Sequence, residues 1–233
     1  MKLLNFYKNL QKTRSKTKYF NFLKLVKSKG YKLKYVYDIG ALKGAWSQRL
    51  LKEFRDIDLT LFEANPAYVP NLIATGFKFF NVALSNPGRE IVDFYNGTNS
   101  GDSYYKETTL HYENQNTIRL KCNTLDNIVI ANKLAYPNFI KIDTQGSELD
   151  ILIGGIHTLQ HTDFVLVECP IIEYNKGAPV ISDYLSFFKK NYFIPFDIYE
   201  IHRSENTLLQ IDIMFMRQNI KEKYFGSYQF IKI

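Results

Sequence analysis

At 233 residues, 45% hydrophobic and 23% charged, the chain is long enough for one α/β domain with a buried core and ordinary in composition for a globular protein. No apolar run approaches the roughly 18 residues of a membrane-spanning helix, and no signal-peptide core follows the basic N-terminus. Cys122 and Cys169 give neither a disulfide framework nor a metal-ligand spacing, so a reduced, cytoplasmic protein is expected. The net charge of +7 belongs to one end: residues 1–34 hold eleven Lys or Arg and no acid, leaving 19 basic against 23 acidic residues beyond them.

That basic arm has helical apolar spacing at Leu3, Phe6, Tyr7 and Leu10, and again at Tyr19, Phe22, Leu23 and Val26. Lys27, Lys29 and Gly30 then mark a helix C-terminus. Residues 1–33 therefore read as a basic amphipathic helical extension. It is either packed on the domain with solvated lysines or a surface for an anionic membrane at the inner face, a phosphate-bearing substrate or nucleic acid.

Residues 34–233 read as a single domain of alternating strands and helices. "KYVYDIG" (34–40) is a strand and 45–54 a helix; "DLTLFEA" (58–64) is a strand, followed by Asn65-Pro66 as the start of a helix ending near Gly76. "FKFFNVALS" (77–85) is a third strand. Extra strands are expected within 86–123, flanking a polar loop over 97–116. A helix follows from Thr124-Leu125-Asp126, then the strand 138–143, a helix over 147–160, the strand 163–169, a helix over 182–192 and two closing strands. Strands separated by helices imply a parallel α/β sheet covered on both faces, and two successive strands at the end imply one antiparallel member.

Ligands of open parallel sheets bind where the strands end, so the strand-end residues are the candidates. The first end, Asp38-Ile39-Gly40 with Ala41 and Gly44, is a D-x-G-x-x-x-G turn: its glycines allow a tight turn and close approach, but its spacing is not that of dinucleotide sites. Glu63 ends the next strand, where a carboxylate accepts hydrogen bonds from ribose hydroxyls. An adenosine-containing ligand without a phosphate-binding loop is best matched by S-adenosylmethionine, its amino-acid end near Asp38, Gly40 and Gly44 and its ribose on Glu63. Ala64, Ala83 and Ser85 complete the candidate cofactor set.

The stretches "VYDIGALKGAWS", "LFEANP", "NVALSNPGREIVDFY", "CNTLDNI", "FIKIDTQGSELDILIGG" and "VLVEC", in this order over about 34–170, resemble the FkbM-type S-adenosylmethionine-dependent methyltransferases. The resemblance implies a Rossmann-like class I methyltransferase fold over 34–233, with a mostly parallel seven-stranded sheet whose last strand is antiparallel. It also implies O-methyl transfer to a hydroxyl, in many members on a saccharide, glycan precursor or polyketide-type product. Leu42 stands where Asn is common and Ala64 where Pro is common, so altered cofactor contacts are expected.

Methyl transfer to a hydroxyl needs a base near the methyl group. Asp143, at the end of a central strand, is the leading candidate; its alternatives are a cofactor contact or a carboxylate accepting N–H bonds from the turn Gln145-Gly146-Ser147. Glu148 and Glu168 are further catalytic candidates, although Ser147 and Asp150 match an S-x-x-D capping pattern and acids suit a helix start. Tyr104, Tyr105 and His111, in a long tyrosine-rich loop, are candidates for holding a sugar. No metal site is read: His111, His157, His161 and His202 have no metal spacing. Two rivals remain, an RNA methyltransferase using the basic arm and a non-catalytic cofactor-binding module in a glycan-assembly complex. Nucleic acid ranks lower, because no RNA-binding motif is present and the remainder of the chain is acidic.

Overall fold

The computed structural model describes residues 18–97, 101–109 and 116–226. The apolar stripe of the N-terminal half-arm, 1–17, and His111 lie outside them. In chain order the elements are α1 (Lys18–Ser28), β1 (Tyr35–Ile39), α2 (Ala45–Glu53), β2 (Asp58–Glu63), α3 (Val69–Thr75), β3 (Lys78–Asn81), β4 (Ala83–Leu84), β5 (Ile91–Asn96) and β6 (Asn116–Asn123). Then come α4 (Leu125–Ala131), β7 (Phe139–Ile142), α5 (Glu148–Gly154), α6 (Ile156–Gln160), β8 (Phe164–Pro170), α7 (Ile181–Lys190), β9 (Phe193–Ser204), β10 (Thr207–Arg217) and α8 (Gln218–Phe225).

Seven strands form one sheet in the order β3-β2-β1-β7-β8-β10-β9. The pairs from β3 to β8 are parallel, and β10 runs antiparallel to both neighbours. This is the α/β class and the antiparallel last strand expected from the sequence. The central strands are buried on both faces, which is why they read as mostly apolar runs, broken by Asp38, Lys141 and Glu168. Successive side chains alternate between two cores. Tyr37, Ile140 and Val165 face Leu125, Leu152 and Phe188 of α4, α5 and α7. Val36, Phe139 and Phe164 face the other way, toward α1, α2, α3 and α8.

Tyr19, Phe20, Phe22, Leu23 and Val26 of α1 are buried in that second core, while Lys24, Lys27 and Lys29 stay in solvent. The expected stripe of α1 thus packs on the sheet. No helix among the described residues is long and apolar enough to cross a membrane.

Two element boundaries differ from the sequence expectation. The strand 77–85 divides: β3 stays in the large sheet, while β4 pairs with β6 in a smaller sheet ordered β4-β6-β5. The helix 147–160 divides as well, at Gly154-Gly155. A side chain at Gly154 would come within 2.1 Å of the Ser85 carbonyl oxygen, so α5 approaches β4 at a distance only glycine allows, and the helix restarts as α6.

Candidate active site

A cleft of about 730 Å³ opens at the C-terminal ends of β1, β2, β7 and β8, within the usual size of small-molecule sites. Gly40, Ala41, Glu63 and Ala64 line one end, and Ala83, Tyr104, Asp143 and Glu168 continue the wall. Asp38, Gly44, Ser85, Tyr105 and Glu148 are not part of the lining.

The glycines of the first turn serve the backbone. Gly40 has φ 75, and a Cβ there would sit 1.8 Å from the Asp143 carbonyl oxygen, so β1 and β7 converge only because this residue has no side chain. Gly44 (φ 74) begins α2 with its bare face against Thr75. Between them Leu42 also takes a left-handed conformation, φ 50, and donates its N–H to Glu63 Oε2 at 2.7 Å. A left-handed backbone costs an ordinary side chain roughly 1 kcal/mol, and asparagine tolerates it best. Leu42→Asn is accordingly expected to raise stability by about 0.5–1 kcal/mol, read as a higher urea midpoint at unchanged slope.

Asp38 is fully buried, accepts a hydrogen bond from Ser47 Oγ at 2.7 Å and lies 3.3 Å from Lys141 Nζ. Lys141 also reaches the Gly40 carbonyl at 3.1 Å and Asp143 at 3.8 Å. Burial favours losing its proton, but the charges of Asp38 and Asp143 outweigh that and hold the ammonium above its ordinary pKa. Asp38 thus acts on the cleft wall through Lys141. Glu63 is 5% exposed and accepts from the N–H groups of Leu42 and Asn65, each at 2.7 Å.

The loop after β7 contains two left-handed residues in succession, Gln145 (φ 56) and Gly146 (φ 105). Its N–H groups are held by Glu148: Oε1 accepts from Thr144 N at 2.7 Å, and Oε2 from Gly146 N at 3.0 Å and from Tyr184 Oη at 2.8 Å. The expected S-x-x-D cap does not form. Ser147 makes no side-chain cap bond to α5, and its hydroxyl donates to the Thr144 carbonyl instead. Asp150 accepts from Asn86, Tyr104 and Tyr105 and lies 3.5 Å from Arg89. With Glu148 binding the turn, the side chain of Asp143 stays 43% exposed to the cleft, its Oδ1 accepting from Gln145 Nε2 at 2.9 Å.

Residues 38–195 match the family described as the methyltransferase FkbM domain. The chain belongs to this family. A comparison with curated protein sequences finds no match. Among solved structures, the chain is similar to magnesium protoporphyrin IX methyltransferase of Synechocystis with bound SAM. Identity is 8%, coverage 88% of this chain and 80% of that one, and the TM-score 0.50, a likeness of class I methyltransferase fold. Two others are a precorrin-6y C5,15-methyltransferase of Geobacter metallireducens (10% identity, 82% and 85% covered, TM-score 0.45) and a TehB-like SAM-dependent methyltransferase of Corynebacterium glutamicum (9%, 93% and 96%, 0.43).

The far end of the cleft holds residues that the sequence does not single out. Gln145 Nε2 donates to Glu168 Oε1 at 2.8 Å, and Gln210 Nε2 donates to Glu168 Oε2. Asp212 lies opposite Glu168 in register, with Glu200 opposite Asp212 on the next strand and His202 beside it. Burial raises the pKa of Glu168 well above the carboxylate range, and the charges of Asp143 and Asp212 add to it. The available signal was a period of two: Glu200 and His202, and Gln210 and Asp212, are polar pairs inside otherwise strand-like runs.

Proposed function

We propose that this chain is an S-adenosylmethionine-dependent O-methyltransferase that acts on a hydroxyl of a saccharide or glycan precursor. The observation that carries the reading is the placement of Asp143, a half-exposed carboxylate between the Glu63 end and the Glu168 end of one cleft.

The residues of the Glu63 end fit the cofactor. Phe62, Val82 and Leu84 offer apolar surface for an adenine ring, and each Glu63 oxygen keeps a lone pair for a ribose hydroxyl. Among the described residues the buried Thr144 hydroxyl has no hydrogen-bond partner, and Thr144 and Trp46 both line the cleft. With Lys43, Arg49 and Lys141 in the same wall, they suit the carboxylate of an amino-acid tail. When bound, the cofactor supplies an activated methyl group. The chain's own tasks are then to orient the acceptor hydroxyl and take its proton, for which Asp143 has the exposure and Gln145 fixes the geometry. Glu168 and Gln210 give the acceptor end the polar surface a polyol needs.

Burial pushes the Glu63 carboxyl up to about 7, against the pull of the Asn65 and Leu42 N–H groups. The ionised form is the better acceptor for ribose. Affinity for S-adenosylmethionine is expected to be full above about pH 8 and to weaken as pH falls through about 7, approaching tenfold per unit below it. Calorimetry across this range checks it, and Glu63→Gln should flatten the profile. The acceptor is tested by mass spectrometry of surface glycans from cells with and without the gene. Loss of a methyl increment supports the saccharide reading; unchanged glycans with under-methylated RNA would replace it.

A further inference from the structure

Three side chains on three neighbouring strands meet at the acceptor end of the cleft: Glu168 on β8, Asp212 on β10 and His202 on β9. One ligand atom from each lies within 4.8 Å of the others. Donors on a single divalent cation sit about 3 Å apart when adjacent and about 4.2 Å apart when opposite, for bonds of about 2.1 Å. A small side-chain rotation therefore closes the set.

The surroundings call for a positive charge. The Asp212 Oδ1 atom is sealed from solvent, and its basic neighbour among the described residues is the His202 imidazole, whose Nε2 lies 3.5 Å from it and 3.7 Å from Glu200. Among the described residues, no Lys or Arg stands within ion-pair distance of Glu168 or Asp212. Two carboxylates facing each other across a strand pair at low exposure repel unless a positive charge lies between them.

The surroundings are also those of a ligand set. The amides of Gln145 and Gln210 each hold one Glu168 oxygen and leave each oxygen a free lone pair, and the Tyr174 hydroxyl in turn holds the Gln210 carbonyl. Such outer hydrogen bonds orient metal ligands.

We propose that Glu168, His202 and Asp212 bind one divalent cation at the acceptor end of the cleft, where it takes oxygens of the acceptor as further ligands. The role given to the cation rests on the methyltransferase reading above. Two carboxylates and one imidazole suit a cation that accepts both oxygen and nitrogen, such as Mn²⁺. The remaining coordination positions suit a hydroxyl or a vicinal diol, whose acidity the cation raises beside Asp143.

The test is electron paramagnetic resonance of the full chain titrated with Mn²⁺, alongside calorimetry with S-adenosylhomocysteine. One bound Mn²⁺ per chain is expected, with a nitrogen coupling from His202. Asp212→Asn and His202→Gln should each weaken it by at least about tenfold, whereas the exposed Asp93→Asn on β5 should leave it unchanged. A chain that binds S-adenosylhomocysteine but no Mn²⁺, or binds Mn²⁺ without nitrogen coupling, overturns the site and leaves the cofactor reading intact. A chain that binds Mn²⁺ with the coupling but no S-adenosylhomocysteine keeps the site and overturns the cofactor reading.

Discussion

Replacing Glu148 with alanine is expected to destabilise the fold by about 3–5 kcal/mol, seen as a fall in Tm of roughly 10 °C. The carboxylate is fully buried, and burial pushes its pKa up while the surrounding N–H donors pull it back. Its two oxygens bind the N–H groups of Thr144 and Gly146 and the Tyr184 hydroxyl, so alanine would leave three buried donors without an acceptor. The same bonds hold the left-handed pair Gln145-Gly146, so the Asp143 loop would loosen with the fold. Thermal unfolding followed by circular dichroism decides the matter. A variant that melts at the wild-type temperature and loses only turnover would instead make Glu148 a catalytic group.

The second large effect is expected from Asp143→Asn. Asparagine keeps the size of the side chain and removes its basicity, so turnover should fall about a thousandfold, the usual weight of a positioned base. The assay supplies glycan extract from cells lacking the gene as acceptor. Affinity for S-adenosylmethionine should stay within about threefold, because Asp143 meets Lys141 only at 3.8 Å, while Asp38 holds that lysine at 3.3 Å. If cofactor affinity collapses with turnover, Asp143 holds the cofactor and the base lies elsewhere in the cleft.

Much of this arrangement could be read from the chain because it is local. The alternation of strands and helices, the antiparallel end of the sheet and the strand-end positions of Glu63, Asp143 and Glu168 follow from periodicity and from where each apolar run stops. What was not legible depended on contacts between distant segments. Ser147 and Asp150 have the spacing of a helix cap, but Tyr104 and Tyr105, more than forty residues earlier, claim Asp150. Asp38 looks from the sequence like a ligand contact, yet the fold buries it under Lys141 and Ser47. Glu200, His202, Gln210 and Asp212 have the alternation of an ordinary half-exposed hairpin. Only the register of β10 against β8 and β9 brings them to Glu168. Leu42 is the converse case: its departure from the common asparagine is visible in the sequence, and the structure supplies the physical reason in its left-handed backbone.

The cleft as a cofactor site is tested most directly by titrating the chain with S-adenosylmethionine in a calorimeter at about pH 8, beside Glu63→Ala. One site per chain with micromolar affinity, weakened at least about tenfold in the variant, is the expected result, since the variant removes a hydrogen-bonded carboxylate worth about 1.5–3 kcal/mol. No heat of binding at high micromolar cofactor, or equal affinity in the two proteins, would contradict it.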